Sequence, residues 1–262
     1  MLIATDLDGT LLVPSSAEVP PFTASVLRRL DEAGIPVVFV TARPLRWMSG
    51  LWPHAGRHGR AIVSNGAILY DVHERRILEL TGIGPEEGLA LVDDVTAALP
   101  GAQFAIECAG GIRFDPRYPD AYSGPVDDAP RGPLPKLWDE PVVKLLVRAP
   151  ETDPAELQKR VTNAVGDRAT ATWSTSGLVE ISARGVTKAS ALARLCERLG
   201  VAAGEVVAFG DMPNDLAMLT WAGTACAPED AHASVRAIAD RVVGSADDEG
   251  VARELESLLR SA

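Results

Sequence analysis

The chain has 262 residues and a formal net charge of −11, with 47% hydrophobic and 23% charged residues. This composition is typical of a globular protein and excludes a disordered, collagen-like or disulfide-rich chain. The negative charge disfavours nucleic acid as a general partner, and no apolar stretch is long enough to span a bilayer, so neither nucleic acid nor membrane is expected as a partner. Three cysteines without a pairing pattern, and a start unlike a signal peptide, predict a cytoplasmic protein.

Short apolar strands alternate with helices in the first part of the chain and again in the last part. The first part predicts a strand at 2–5, a helix at 24–33, and strands at 35–40 and 61–63. The last part predicts a helix at 188–199, a strand at 206–209, a helix at 215–221, and strands at 223–227 and 241–243. Unbroken apolar strands that alternate with helices predict an α/β fold, with a parallel sheet covered on both faces.

The middle of the chain has a different pattern, which begins near residue 84. It predicts a helix at 85–99, strands at 103–107 and 142–148, a helix at 154–165, and a hairpin of strands at 169–173 and 178–182. Six prolines in the long loop before residue 142 predict no regular structure there: Pro116, Pro119, Pro125, Pro130, Pro133 and Pro135. The pattern predicts an inserted α+β domain at 84–183 within a core formed by 1–83 and 184–262.

The segment DLDGT, which begins at Asp6, follows the first predicted strand directly. Ligands of open α/β sheets bind at the carboxyl ends of strands, and side chains two residues apart point the same way. Asp6 and Asp8 would repel each other without a cation, and Mg²⁺ favours carboxylates together with water and phosphate. An EF-hand is excluded because its required Gly and Glu positions hold Leu11 and Ala17. A glycosyltransferase metal site and an ordinary pair of surface acids remain alternatives.

Three further segments combine polar residues with predicted strand or helix ends. Thr41 follows the second strand, where it could cap a helix or bind a phosphate oxygen together with backbone N–H groups. Lys188 opens a helix, where a cation opposes the helix dipole unless an anion lies beside it; a solvated lysine is the alternative. The segment GDMPND at 210–215 places two acids at another strand end, or forms a turn and a helix cap. A zinc site at His54 and His58 lacks a third ligand.

Together these segments resemble the haloacid dehalogenase superfamily, and in particular its Cof-type phosphatases with a C2-type cap. DLDGT, the Thr of FVTAR, the Lys of GVTKAS and GDMPND stand in the family's order across nearly the whole chain, and residues 64–67 resemble its NGA segment. The resemblance implies a Rossmann-like parallel-sheet core with an inserted α+β cap that selects the substrate. It also implies Mg²⁺-dependent hydrolysis of a small phosphorylated metabolite, with a sugar phosphate as the expected substrate, through an aspartyl-phosphate intermediate.

The resemblance also assigns roles to individual residues. Asp6 matches the nucleophile and a Mg²⁺ ligand, and Asp8 matches the general acid/base, whose backbone carbonyl binds the metal. Asp211 matches a further metal ligand, and Asp215 matches a residue that lies behind the metal ligands or steadies the loop. The phosphate-binding set is matched by Thr41, the Ala42 N–H, Lys188 and Asn214.

Two further functions remain as alternatives: a phosphomutase on the same scaffold, and a non-catalytic module that binds a phosphorylated ligand. Arg43, Arg113 and Arg117 are candidate contacts for the substrate. The sequence predicts neither the identity of the metabolite nor the oligomeric state.

Overall fold

The computed structural model describes residues 1–14, 16–119 and 128–261. The chain separates into two compact units: unit 1 consists of Met1–Arg43, Trp47–Glu79 and Thr187–Ala262, and unit 2 of Pro44–Arg46 and Leu80–Val186. The predicted boundaries, 83/84 and 183/184, lie within a few residues of the main divisions. That the two units are a core domain and an inserted cap domain stays a prediction.

The strands are β1 Leu2–Thr5, β2 Val37–Val40, β3 Arg60–Val63, β4 Ile68–Asp71, β5 Arg76–Leu80, β6 Gln103–Cys108, β7 Gly111–Phe114, β8 Val142–Arg148, β9 Ala169–Thr172, β10 Val179–Ala183, β11 Val206–Phe209, β12 Thr224–Pro228 and β13 Arg241–Val243. The helices are α1 Pro21–Glu32, α2 Pro85–Ala98, α3 Leu134–Leu137, α4 Pro154–Val165, α5 Lys188–Leu199, α6 Leu216–Trp221, α7 Ala233–Arg236 and α8 Gly250–Ser261. None of the helices in the described residues is both long enough and apolar enough to cross a membrane.

Unit 1 is built on a sheet with the strand order β13-β12-β11-β1-β2-β3-β4-β5. The pairs from β13 to β3 are parallel, which confirms the predicted α/β fold. Every residue of β1, β2 and β11 is buried, because helices cover both faces, and this explains their unbroken apolar sequences. On one face, Leu2 and Ala4 of β1 pack in a cluster with Leu192 of α5 and Met218 of α6.

The sequence had predicted a parallel sheet, but one edge of the sheet in unit 1 is antiparallel. β4 pairs antiparallel with β3, with Ile62 opposite Leu69, and no strand had been predicted at β4 or β5. A tight turn at Ser64–Gly66 reverses the chain directly after β3. The sequence held a signal for this hairpin, because Asn65 and Gly66 between two apolar runs form the dipeptide that favours hairpin turns.

Unit 2 contains an antiparallel sheet with the strand order β7-β6-β8-β10-β9. Helices α2 and α4 pack against each other, α2 against β8 and α4 against β9. The predicted hairpin is formed by β9 and β10, with Thr172 opposite Glu180. These two strands belong to the sheet of unit 2 and pair with none of the strands of unit 1 in the described residues.

The proline-rich segment contains more regular structure than predicted. β7 pairs with β6, and α3 begins directly after Pro133, with Pro135 in its first turn. A proline is tolerated there because the first N–H groups of a helix have no partner within the helix. Pro125 lies outside the described residues.

Candidate active site

The predicted acidic segments meet at the carboxyl ends of β1 and β11. These two strands are parallel neighbours, with Thr5 opposite Phe209, so the chain leaves both at the same edge of the sheet. The Asp6 N–H donates to the Phe209 carbonyl over 3.0 Å, which extends the pairing by one residue. Asp6 and Asp211 therefore come together because of strand register, although they lie far apart in the sequence.

Lys188 lies between two of the carboxylates. Its Nζ atom is 2.8 Å from Asp6 Oδ1 and 2.7 Å from Asp215 Oδ1, and its side chain is fully buried. Burial lowers the pKa of Lys188, but the carboxylates of Asp215 and Asp6 outweigh that effect and raise it above its usual value. Thr187 caps α5 by accepting the Ser190 N–H, which holds the helix start that carries this ammonium group.

Asp211 and Asp215 are fixed by the loop that joins β11 to α6. Asp211 Oδ1 accepts the hydroxyl proton of Thr10 over 2.6 Å. Asp215 Oδ2 accepts the N–H groups of Asp211 and Met212, each over 3.1 Å. Gly9 approaches Asp211 closely: its φ is +80°, and a Cβ at this position would lie 2.5 Å from Asp211 Oδ2, so the position requires glycine.

Asp6, Asp211 and Asp215 form a cluster in which one carboxylate oxygen of each lies within 4.8 Å of the others. Burial raises the pKa of Asp6 well above its usual range, and the Asp215 and Asp211 carboxylates raise it further, against the opposing effect of Lys188. Burial and Asp215 raise the pKa of Asp211 to about 7. A single ammonium group therefore does not balance this cluster, and its donor set of carboxylate oxygens fits a hard divalent cation such as Mg²⁺.

The cluster differs in membership from the predicted metal set of Asp6, Asp8 and Asp211. Asp215 lies with Asp6 and Asp211, and its oxygens accept from Lys188 and two backbone N–H groups; its role behind the metal ligands or in steadying the loop stays a prediction. The Asp8 carboxylate is bound by Arg43. The prediction assigned only the backbone carbonyl of Asp8 to the metal, and this ion pair leaves that carbonyl unaffected.

The pairing of Arg43 with Asp8 was not predicted. Arg43 donates from Nε to Asp8 Oδ2 over 2.7 Å and from Nη2 to Asp8 Oδ1 over 2.8 Å, and Nη2 also donates to the Ser16 carbonyl. Arg43 had been considered as a contact for the substrate. The two hydrogen bonds from one guanidinium use one lone pair on each oxygen and hold the Asp8 carboxylate in a fixed orientation.

The predicted phosphate-binding residues occupy several loops of unit 1. Thr41 follows β2, but no α-helix begins there, and a short 3₁₀ turn follows at Leu45–Trp47 instead. The Oγ1 atom of Thr41 accepts the Arg43 N–H over 3.0 Å. A hydroxyl that accepts one hydrogen bond can still donate its proton. Ala42 lies between Thr41 and Arg43 in this loop. The side chain of Asn214 is buried and donates to Asn65 Oδ1 over 3.1 Å, a contact that sequence analysis missed.

The remaining candidates are two arginines of unit 2 and two histidines of unit 1. Arg113, in unit 2, pairs with Asp139 and with Glu140, and Arg117 pairs with Asp115. Among the residues described by the structure, the clusters that could hold a metal include neither His54 nor His58.

Comparison with known proteins gives consistent results over almost the full length. A family model described as haloacid dehalogenase-like hydrolase matches residues 3–255. The 5-amino-6-(5-phospho-D-ribitylamino)uracil phosphatase YitU of Bacillus subtilis (strain 168) is 27% identical, over 97% of this chain and 96% of its own length. The pyridoxal phosphate phosphatase YbhA of Escherichia coli (strain K12) is 28% identical, over 98% of both chains.

Among solved structures, BT1666 of Bacteroides thetaiotaomicron, a phosphatase of the haloalkanoate (HAD) enzyme superfamily, has a similar fold. It superposes with a TM-score of 0.83 at 21% identity, over 98% of this chain and 94% of its own. This structural similarity extends over both units of the chain.

Proposed function

We propose that this chain, which belongs to the haloacid dehalogenase-like hydrolases, works through an aspartyl-phosphate on Asp6 with the help of Mg²⁺. The premise is that it is a phosphoric monoester hydrolase that acts on small phosphorylated metabolites. The observation that carries the proposal is the buried contact of Lys188 with both Asp6 and Asp215, beside Asp211. A nucleophilic carboxylate must be ionised, and burial opposes ionisation. The adjacent ammonium group favours the carboxylate form of Asp6.

In the proposed first step, a carboxylate oxygen of Asp6 attacks phosphorus in line. The bond from phosphorus to the substrate oxygen breaks, and Asp8 gives a proton to that leaving oxygen. In the second step, Asp8 takes a proton from a water molecule, whose oxygen attacks phosphorus. The acyl-phosphate bond then breaks, releasing inorganic phosphate and restoring the Asp6 carboxylate.

Asp6, the Asp8 carbonyl and Asp211 would hold Mg²⁺, with Asp215 behind them. When bound, the ion supplies positive charge that offsets the carboxylates and the phosphoryl group. The raised pKa values of Asp6 and Asp211 support this assignment, because burial first and the neighbouring carboxylates second disfavour their ionised forms, and a bound cation would favour those forms.

Thr41, the Ala42 N–H, Lys188 and Asn214 are the proposed phosphate-binding groups. They combine a hydroxyl, a backbone N–H, an ammonium group and an amide, all of which can donate to phosphate oxygens. Arg43 is assigned to Asp8, because its two hydrogen bonds hold the proposed general acid/base in one orientation.

The expected substrate is a sugar phosphate or a similar small phosphomonoester, and the selecting residues are expected in the proposed cap at 84–183. The names of the two relatives support a phosphorylated small molecule: one acts on a phosphoribityl-substituted uracil and the other on pyridoxal phosphate. The cytoplasm is the proposed location, and it is supported by three buried cysteine thiols.

A phosphate-release screen over many phosphorylated metabolites, with Mg²⁺ and with EDTA, tests this function. We expect release that depends on Mg²⁺ and is lost in Asp6→Asn, while Asp93→Asn, the same change at an exposed residue of α2, keeps normal activity. Full turnover in excess EDTA would contradict the metal assignment. Transfer of phosphate back to the sugar would identify a mutase, and phosphate binding without turnover would identify a non-catalytic module.

A further inference from the structure

The turn at Ser64–Gly66 has an unusual backbone. Three consecutive residues have positive φ angles: 52° at Ser64, 57° at Asn65 and 99° at Gly66. Residues other than glycine adopt this left-handed region at a cost, and such conformations persist only where surrounding contacts hold them. The contacts that hold this turn therefore indicate its role.

The first contacts join the turn to the Thr41 loop. The Ser64 N–H donates to the Arg43 carbonyl over 2.9 Å, and the Asn65 N–H donates to the Thr41 carbonyl over 3.0 Å. Val63 is still extended when it presents the Ser64 N–H, and the left-handed backbone of Ser64 then turns the Asn65 N–H toward the same loop. The turn thus fixes the backbone on either side of Ala42.

The second contact joins the turn to Asn214. Asn65 Oδ1 accepts one proton of the Asn214 amide over 3.1 Å, and the two residues are 2% and 8% exposed. An amide nitrogen carries two protons, so this bond orients Asn214 and leaves its second proton for another acceptor. Among the described residues, Asn214 Oδ1 has no hydrogen-bond partner. Its own hydrogen bonding is therefore incomplete in the orientation that Asn65 imposes.

The third contact joins the turn to the start of α5. A Cβ at Gly66 would lie 2.2 Å from the Thr187 carbonyl oxygen, so only glycine allows this approach. Thr187 caps the helix that begins with Lys188. One turn of three residues therefore touches the backbone beside Thr41, the side chain of Asn214 and the cap that precedes Lys188.

We infer that the turn Ser64–Gly66 aligns the phosphate-binding groups, and that Asn65 is a positioning residue that acts through Asn214. This inference rests on the proposed function, since Thr41, Lys188 and Asn214 matter together only if they bind one phosphoryl group. Asn65 itself does not touch the substrate. Its effect is to present the second amide proton of Asn214 at a fixed position.

A double-mutant cycle tests this role. The variants are Asn65→Gly, Asn214→Ala and the double variant, with Arg75→Gly as the matched control. Glycine at position 65 is compatible with the left-handed backbone and removes the side-chain amide, including the Oδ1 acceptor. Arg75 is exposed and has a φ of 51°, so its change to glycine relieves the same strain away from the site. Calorimetry measures the affinity for inorganic phosphate in the presence of Mg²⁺ and, separately, the affinity for Mg²⁺.

We expect Asn65→Gly to weaken phosphate binding about three- to tenfold, as expected for one hydrogen bond, and to raise KM more than it lowers kcat. Mg²⁺ affinity stays unchanged, and Arg75→Gly behaves like the wild type. The double variant binds phosphate no more weakly than Asn214→Ala alone, because the proposed effect of Asn65 on phosphate passes through Asn214.

Additive losses in the double variant would overturn the inference, and so would wild-type phosphate affinity in Asn65→Gly. If Asn65→Gly does not fold, the same cycle is run with Asn65→Ala, which also removes the acceptor; Ser64 shows that a residue with a Cβ adopts the same backbone region in the native chain. Failure of the proposed function is a separate result that the wild type alone reveals: it would bind no phosphate, or it would bind phosphate but hydrolyse no phosphomonoester, whatever the effect of Asn65→Gly.

Discussion

Replacing Lys188 with methionine removes the ammonium group between two carboxylates and keeps most of the length of the side chain. In the structure this group is fully buried, 2.8 Å from Asp6 and 2.7 Å from Asp215. Removing one partner of a buried ion pair costs about 3–5 kcal/mol, because the remaining charge has no compensation and no water. In EDTA at pH 8 we therefore expect Lys188→Met to lower the free energy of unfolding by about this amount.

The loss should depend on pH in a direction that the structure determines. The folded-state pKa of Asp6 is already raised by burial, and removing Lys188 raises it further, since the ammonium group opposes that shift. An acid with a raised folded-state pKa contributes stability below its unfolded pKa and loses it as the pH rises through the folded one. In acid, protonation of Asp6 removes the uncompensated negative charge of the Lys188→Met variant. The loss in the free energy of unfolding relative to the wild type should therefore be smaller at pH 5 than at pH 8.

Urea unfolding followed by tryptophan fluorescence, at both pH values, measures this difference. Lys159→Met makes the same change at an exposed residue of α4 and is expected to alter stability by no more than about 0.5 kcal/mol. The same small effect for Lys188→Met at pH 8, or an equal loss at both pH values, would refute the electrostatic argument.

Three other outcomes follow from the site. Asp6→Asn should form no phosphoenzyme, because an amide is a poor nucleophile. Asp8→Asn, supplied with p-nitrophenyl phosphate, should accumulate a phosphoryl group on Asp6 that mass spectrometry detects after an acid quench. A phosphoryl group on Asp8 instead would reverse the assignment. Stabilisation by Mg²⁺ in thermal unfolding should increase as the pH rises through about 7, where Asp211 loses its proton, and a pH-independent shift would argue against this ligand. Gly9→Ala should weaken Mg²⁺ binding by displacing Asp211, while Gly34→Ala, at a φ of +75° with open space around the new Cβ, should leave it unchanged; equal effects would exclude the steric cause.

Much of the fold of unit 1 follows from local patterns in the sequence. The predicted bounds of β1, β11 and α5 agree with the structure, because apolar runs, a glycine after the helix and a threonine cap are all short-range signals. The resemblance of four ordered motifs to the haloacid dehalogenase superfamily also predicted the family correctly.

The sequence alone did not predict where the sheet stops being parallel. β4 was missed because a turn of only three residues reverses the chain after β3, and the apolar run that follows is too short to distinguish strand from helix. α3 was missed because prolines were taken to exclude helix, although they occupy the positions around its start where no N–H is needed.

By itself the sequence determined which residue types stand at the strand ends, since composition and short-range spacing are properties of the chain. Only the tertiary structure decided how they are paired: Lys188 with Asp6 and Asp215, Arg43 with Asp8, and Asn65 with Asn214. Each pairing depends on loop conformations that no local propensity encodes. The last joins residues 149 positions apart, and only the packing of β3 and β11 in one sheet brings their loops to a common edge.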